Sequence, residues 1–315
     1  MSLAMVFPGQ GSQSVGMLAE LAAQHPVVGA TFSEASAALG YDLWALVSGG
    51  PAERLNATVH TQPAMLAAGI ACYRVWRQEG GPQPDVVSGH SLGEFTALVA
   101  AGAMEFNAAI SLVAARGEFM QSAVPAGTGA MAALLGLDDA AVEAACAEAA
   151  QGEVAEAVNF NAPGQVVIAG HASAVGRAID AAKARGAKRA VLLPVSVPSH
   201  SSLMRGAAER LRERLQGIAI RAPAIRYLSA VDAREHGEVA DIAANLVRQL
   251  ASPVRWTATV LALTGAGART LIECGPGKVL TPLNRRIDKR PELTCLAVED
   301  AASLAAALTH VRGAA

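Results

Sequence analysis

The stretch Pro84-Asp85-Val86-Val87-Ser88-Gly89-His90-Ser91-Leu92-Gly93-Glu94 constrains this chain more than any other. It reads as a short apolar strand, a tight turn and the first residues of a helix. The turn, Gly89-His90-Ser91-Leu92-Gly93, matches the Gly-x-Ser-x-Gly nucleophile elbow. In such an elbow a strained backbone exposes a serine hydroxyl at the end of a parallel sheet. The spacing has a physical reason. The two glycines lack a Cβ, so strand and helix approach closely enough to hold Ser91 in a sparsely populated backbone region. The Leu92 N–H, at the helix start, then points where an oxyanion forms. The plain alternative is a serine in a glycine-flanked loop, and the strand before and helix after it favour the elbow.

The chain's 315 residues suffice for one large α/β domain with a smaller one inserted. With 52% apolar and 17% charged residues, disorder is excluded. A net charge of −2 argues against a nucleic-acid footprint. Cys72, Cys146, Cys274 and Cys295 are scattered, without a Cys-x-x-Cys pair. That pattern fits neither a metal site nor a disulfide framework, and fits a reduced, cytoplasmic compartment. No apolar run reaches membrane-spanning length, so no membrane partner is expected.

Residues 4–7 read as a buried strand running into Pro8-Gly9-Gln10-Gly11-Ser12-Gln13, either a plain turn or a loop offering backbone amides to an anion. A helix is expected over 61–79, capped by Thr61 and ended by Gly80-Gly81, and another over about 106–123 carrying Arg116. From 128 to 196 the pattern is β-α-β-β-α-β, with the turn Asn161-Ala162-Pro163-Gly164 between the middle strands. This is a ferredoxin-like unit. The expected organisation is therefore a catalytic core of residues 1–127 and 197–315, hydrolase-like with a mostly parallel sheet, and an inserted ferredoxin-like subdomain of residues 128–196.

A serine nucleophile needs a base. Among seven histidines, His90 adjoins Ser91, but neighbouring side chains at a sharp elbow diverge, so its ring is expected to pack beneath the turn. His200, where the chain leaves the small unit, is the better placed, although a lone histidine is as readily a satisfied core residue. An α/β-hydrolase would place its acid between serine and histidine. Here the charged candidates after His200 are Asp232, Glu235, Asp241 and Glu273, the wrong order. Gly275-Pro276-Gly277-Lys278 lacks the Walker spacing and reads as a sharp strand-to-helix turn.

Seven segments, in register along nearly the whole chain, resemble the malonyl-CoA:acyl carrier protein transacylases of bacterial fatty acid synthesis. They are Phe7-Pro8-Gly9-Gln10-Gly11-Ser12-Gln13; Gly89 to Glu94; Ala115-Arg116-Gly117 with Met120-Gln121; Asn159 to Gln165; Val197-Pro198-Ser199-His200; Val247-Arg248-Gln249-Leu250 with Pro253-Val254; and Gly275 to Leu280. The resemblance implies a ping-pong acyltransferase, with malonyl-CoA as donor, acyl carrier protein as acceptor and no bound cofactor or metal. It implies Ser91 as nucleophile, His200 as base, and Gln249 orienting the imidazole through a carbonyl acceptor. The N–H groups of Gln10 and Leu92 would form the oxyanion hole. Arg116 would grip the malonyl carboxylate, and Asn161 would lie near the pantetheine path. Ala230 departs from the family pattern, where many members have asparagine. By residue type alone Arg116 fits a bidentate carboxylate pair or a surface i to i+4 ion pair. Two rivals are a serine esterase or thioesterase, against which Arg116 and the missing late acid speak, and a silent scaffold that docks carrier proteins.

Overall fold

A computed structural model describes residues 2–195 and 197–313. The boundary expected between 196 and 197 therefore touches a position outside the described residues. The strands are β1 (Ser2–Phe7), β2 (Val86–Gly89), β3 (Gly129–Leu135), β4 (Ala155–Ala162), β5 (Gln165–His171), β6 (Arg189–Leu192), β7 (Arg226–Ser229), β8 (Arg234–Glu235), β9 (Ala268–Cys274) and β10 (Thr294–Val298).

Six of them form the central sheet, in the order β10-β9-β1-β2-β7-β8, parallel except for the β7–β8 pair. Helices cover both faces, and the sequence of β1 shows why. Leu3, Met5 and Phe7 enter one core with residues of the helices Thr58–Gln78, Gly93–Ala100 and Phe106–Gln121; Ala4 and Val6 enter the other with Trp256, Val260 and Leu283. Alternate side chains of a strand point to opposite faces, so a strand apolar at every position from Leu3 to Phe7 belongs in the middle of a covered sheet.

The remaining strands form an antiparallel sheet ordered β4-β5-β3-β6. With the helices Asp139–Ala150 and Ala172–Ala184 this is the ferredoxin-like arrangement. One face packs on those helices through Val142, Val166, Ile168 and Val175, and the opposite face carries Met131, Val158 and Val167. β4 is also tied to the parallel layer. Phe160 N–H donates to Val254 O at 2.9 Å and Val254 N–H to Val158 O at 2.9 Å.

Two local expectations change. The helix expected from Thr61 begins at Thr58, and Thr61 lies inside it, its hydroxyl donating to Leu55 O at 2.6 Å. A threonine can satisfy its hydroxyl on a preceding carbonyl as well as cap. β4 runs on through Ala162, so the turn shortens to Pro163-Gly164. At the far edge of the core, Glu273 accepts from the N–H groups of Val279, Leu280 and Thr281 at 3.0, 2.9 and 2.7 Å. The last strand before the Gly275-Pro276-Gly277 turn thus supplies the anion at the N-terminus of the helix Leu280–Ile287. All four cysteines are buried and unpaired, and burial pushes their thiols up, to about 12 for Cys146 and about 11 for Cys295.

Candidate active site

β2 ends at Gly89, and the turn that follows places Ser91 at φ 53°, in the left-handed region. Both glycines are required by close approach. A Cβ on Gly89 would lie 1.9 Å from the Gly93 carbonyl carbon, and one on Gly93 would lie 2.0 Å from Phe7 O. The elbow is therefore clamped between its own helix and the end of β1, where His90 N–H donates to Phe7 O at 2.9 Å. The loop after β1 brings Gln10 to the same end of the sheet. The main-chain N–H groups of Gln10 and Leu92 meet no protein acceptor among the described residues. Both residues line one cavity of about 480 Å³ together with Ser91, Arg116 and His200. It lies where ligands bind in open parallel sheets, beyond the carboxyl ends of the strands, and Met131, from the antiparallel sheet, also lines it.

His200 is 4% exposed, at φ 67° on the loop leaving the antiparallel unit. Its Nδ1 lies 2.7 Å from the main-chain carbonyl of Gln249. A carbonyl only accepts, so Nδ1 carries the proton and Nε2 is left as an acceptor. Burial, and then the Arg116 charge, push the imidazole down to about 3, so the ring is neutral at physiological pH. The hydrogen bond to His200 comes from the backbone of Gln249. The Gln249 side chain is engaged elsewhere: Nε2 donates to Ser91 O at 2.9 Å and Glu94 Oε1 at 2.8 Å, while Oε1 accepts from Arg116 Nη2 at 2.9 Å.

Arg116 is 1% exposed, so it is not the surface residue that its type alone allowed. Gly117 makes this possible: its missing Cβ lets the helix Phe106–Gln121 approach Thr58 O and Val59 Cα to a distance of 2.9 Å from the Cβ position. That approach brings Gln62 Oε1 within 2.8 Å of Arg116 Nη1, and Nη2 donates to Ser91 Oγ at 3.3 Å. The guanidinium is thus bracketed by two uncharged amide oxygens. Burial pushes it down to about 10, and it stays charged at neutral pH. Its Nε, also buried, meets no partner among the described residues. A buried cation whose close partners are all neutral suits a ligand carboxylate.

Asn161 sits behind the elbow, its Oδ1 2.9 Å from His90 Nε2. His90 packs against Trp256, ring centroids 5.6 Å apart, as expected of a side chain turned beneath the turn. Two positions along, Asn159 lines the cavity, and its buried Oδ1 has no partner among the described residues. Gln62, Glu94 and Asn159 were not assigned roles from the sequence. Glu94 and Asn159 lie inside recognised motifs, so their positions gave a signal; Gln62, inside a helix beside Pro63, gave none. Asp232, a charged candidate after His200, is held by His236 at 3.1 Å and Arg248 at 2.7 Å. Among the described residues no group of three or more His, Cys, Asp or Glu side chains is placed to hold a metal ion.

Residues 4–305 match the family model for the acyl transferase domain. The chain is similar to the malonyl CoA-acyl carrier protein transacylase of Salmonella typhimurium, 56% identical over 307 residues, 98% of this chain and 99% of the relative. Its structure is similar to a crystal structure of an acyl carrier protein S-malonyltransferase from Vibrio cholerae, at 57% identity and TM-score 0.94, covering 97% and 99% of the two chains. It is also similar to a malonyl-transacylase solved in complex with a type II PKS acyl-carrier protein, at 54% identity and TM-score 0.96, covering 98% and 100%.

Proposed function

This chain belongs to the malonyl CoA-acyl carrier protein transacylase family, and on that premise we propose that it moves malonyl from malonyl-CoA to the phosphopantetheine thiol of an acyl carrier protein, for fatty acid synthesis. The observation that carries the reading is the buried Arg116 guanidinium, bracketed by neutral amides 3.3 Å from Ser91 Oγ. A hydroxyl nucleophile beside a buried cation selects an acyl group that ends in a carboxylate.

The reaction proceeds in two halves. Ser91 attacks the thioester carbonyl while His200 Nε2 takes its proton, and the Gln10 and Leu92 N–H groups hold the developing oxyanion. Collapse expels coenzyme A, which leaves with the proton from His200. The pantetheine thiol then enters and gives its proton to His200. The thiolate attacks the seryl ester, and Ser91 departs with that proton. The exchange is redox-neutral and every proton has a carrier among these residues, so it requires neither a metal nor a bound cofactor. Its donor and the four buried thiols agree with a cytoplasmic setting.

Intact-protein mass spectrometry tests this reading. Malonyl-CoA alone should add one malonyl group, carrier protein should remove it, and Ser91→Ala should abolish the adduct. A labelled peptide at another residue would overturn the mechanism. Release of malonate in place of malonyl-carrier protein would make the chain a thioesterase.

A further inference from the structure

Glu94, the residue after the elbow's second glycine, is 1% exposed. Its carboxylate faces only donors. Gln249 Nε2 donates to Oε1 at 2.8 Å and the Tyr227 hydroxyl donates to Oε2. Tyr227 lies in β7, so the elbow helix is fastened there through this side chain. Gln249 therefore lies between an acceptor-only group, Glu94, and a donor-only group, Arg116. Glutamine N and O are interchangeable in shape, and their assignment rests on partners. Here both neighbours require the same orientation, with the NH₂ toward Glu94 and Oε1 toward Arg116.

We propose that Glu94 is a positioning residue for acyl-group selection: by fixing the Gln249 amide, it holds Arg116 Nη2 beside Ser91 to receive the malonyl carboxylate. The inference rests on the malonyl-transfer reading above and extends it to a residue that touches neither substrate nor Arg116. Burial raises the Glu94 carboxyl above its usual range, while the Tyr227 and Gln249 donors act in the opposite direction.

The sign of the effect separates positioning from plain electrostatics. A carboxylate near Arg116 opposes a second one, so a purely through-space role predicts that removing the Glu94 charge strengthens malonyl selection. A positioning role predicts the reverse, because a neutral side chain at 94 holds the Gln249 Nε2–H less firmly and lets its Oε1 drift from Arg116 Nη2. The experiment compares kcat/KM for malonyl-CoA and acetyl-CoA in wild type and Glu94→Gln. The malonyl-to-acetyl ratio should fall about tenfold, the scale of one buried hydrogen bond to a charge, with the loss in malonyl KM. In a Gln249→Met background, Glu94→Gln should change the ratio by less than about twofold, because the relay is already cut.

A rise in the ratio, an equal loss for both substrates, or a further fall in the Gln249→Met background would each overturn the proposal. If Glu94→Gln does not fold, Glu94→Asp keeps the charge but withdraws it by one methylene, and the same ratio should fall. Arg116→Ala is the control for the underlying reading. If it leaves the ratio unchanged, malonyl selection lies elsewhere and both readings fail; if it abolishes selection while Glu94→Gln does not alter it, the Glu94 assignment alone fails.

Discussion

His200 Nδ1 meets a main-chain carbonyl, so replacing the Gln249 side chain leaves the imidazole's partner in place. His200→Ala should slow Ser91 acylation by about 10²–10⁴-fold, as loss of a general base does. Gln249→Ala should slow acetyl transfer far less, which paired kcat/KM values would show. The buried ring also fixes a pH dependence. His200 is neutral in the fold down to about pH 3, whereas an unfolded chain protonates it near 6.5. Between those values the unfolded state binds more protons, so stability rises with pH across the window and is lost as pH falls through it. The acid limb of acylation should accordingly lie well below 6.5. A limb at 6.5 that disappears with the base would contradict the neutral buried imidazole. Ser91 was legible because the residues two positions to either side, Gly89 and Gly93, are glycines for a steric reason. Gln62 was not, since its role depends on which buried amide faces Arg116 across two packed helices.

The elements of this fold are held to one another at points with no room for a methyl group, and substitutions there act on whole strands and helices. Gly93→Ala would set a Cβ 2.0 Å from Phe7 O and push the elbow helix off the end of β1. Overpacking of this kind costs about 1–3 kcal/mol or more. Thermal melting should show that loss, and acylation should fall even where the protein remains folded. Gly176 is the contrast, with open space where a Cβ would stand inside the helix Ala172–Ala184. Gly176→Ala should raise stability by about 0.5–1 kcal/mol without changing transfer. Equal effects at the two positions would refute the steric account of the elbow. The unbroken apolar run of β1 made that strand readable. Helix starts were less so, because Thr61 can satisfy its hydroxyl on a carbonyl behind it as well as cap a helix.

Across the whole molecule, the β-α-β-β-α-β order announced a second sheet, but nothing in it announced where that sheet would rest. Among the bonds that seat it are those between the main chains of Val158, Phe160 and Val254, which carry no side-chain code, and the side-chain pairs His90 with Asn161 and Arg286 with Gln165. Asn161 thus lies where two layers meet behind the elbow, while Asn159 reaches the cavity. The burial of Cys72, Cys146, Cys274 and Cys295 has a consequence at this scale. A protein that passes an activated acyl group from one thiol to another is itself at risk of capturing it, because thioesters exchange readily with any accessible thiolate. Here every sulfur is withdrawn from the surface and kept protonated. Iodoacetamide should therefore leave the native protein unlabelled and fully active, and alkylate four sites only after unfolding; labelling with loss of transfer would refute it. The cargo then meets no cysteine thiol of this chain along its route, and the chain stays chemically silent toward the sulfur traffic it serves.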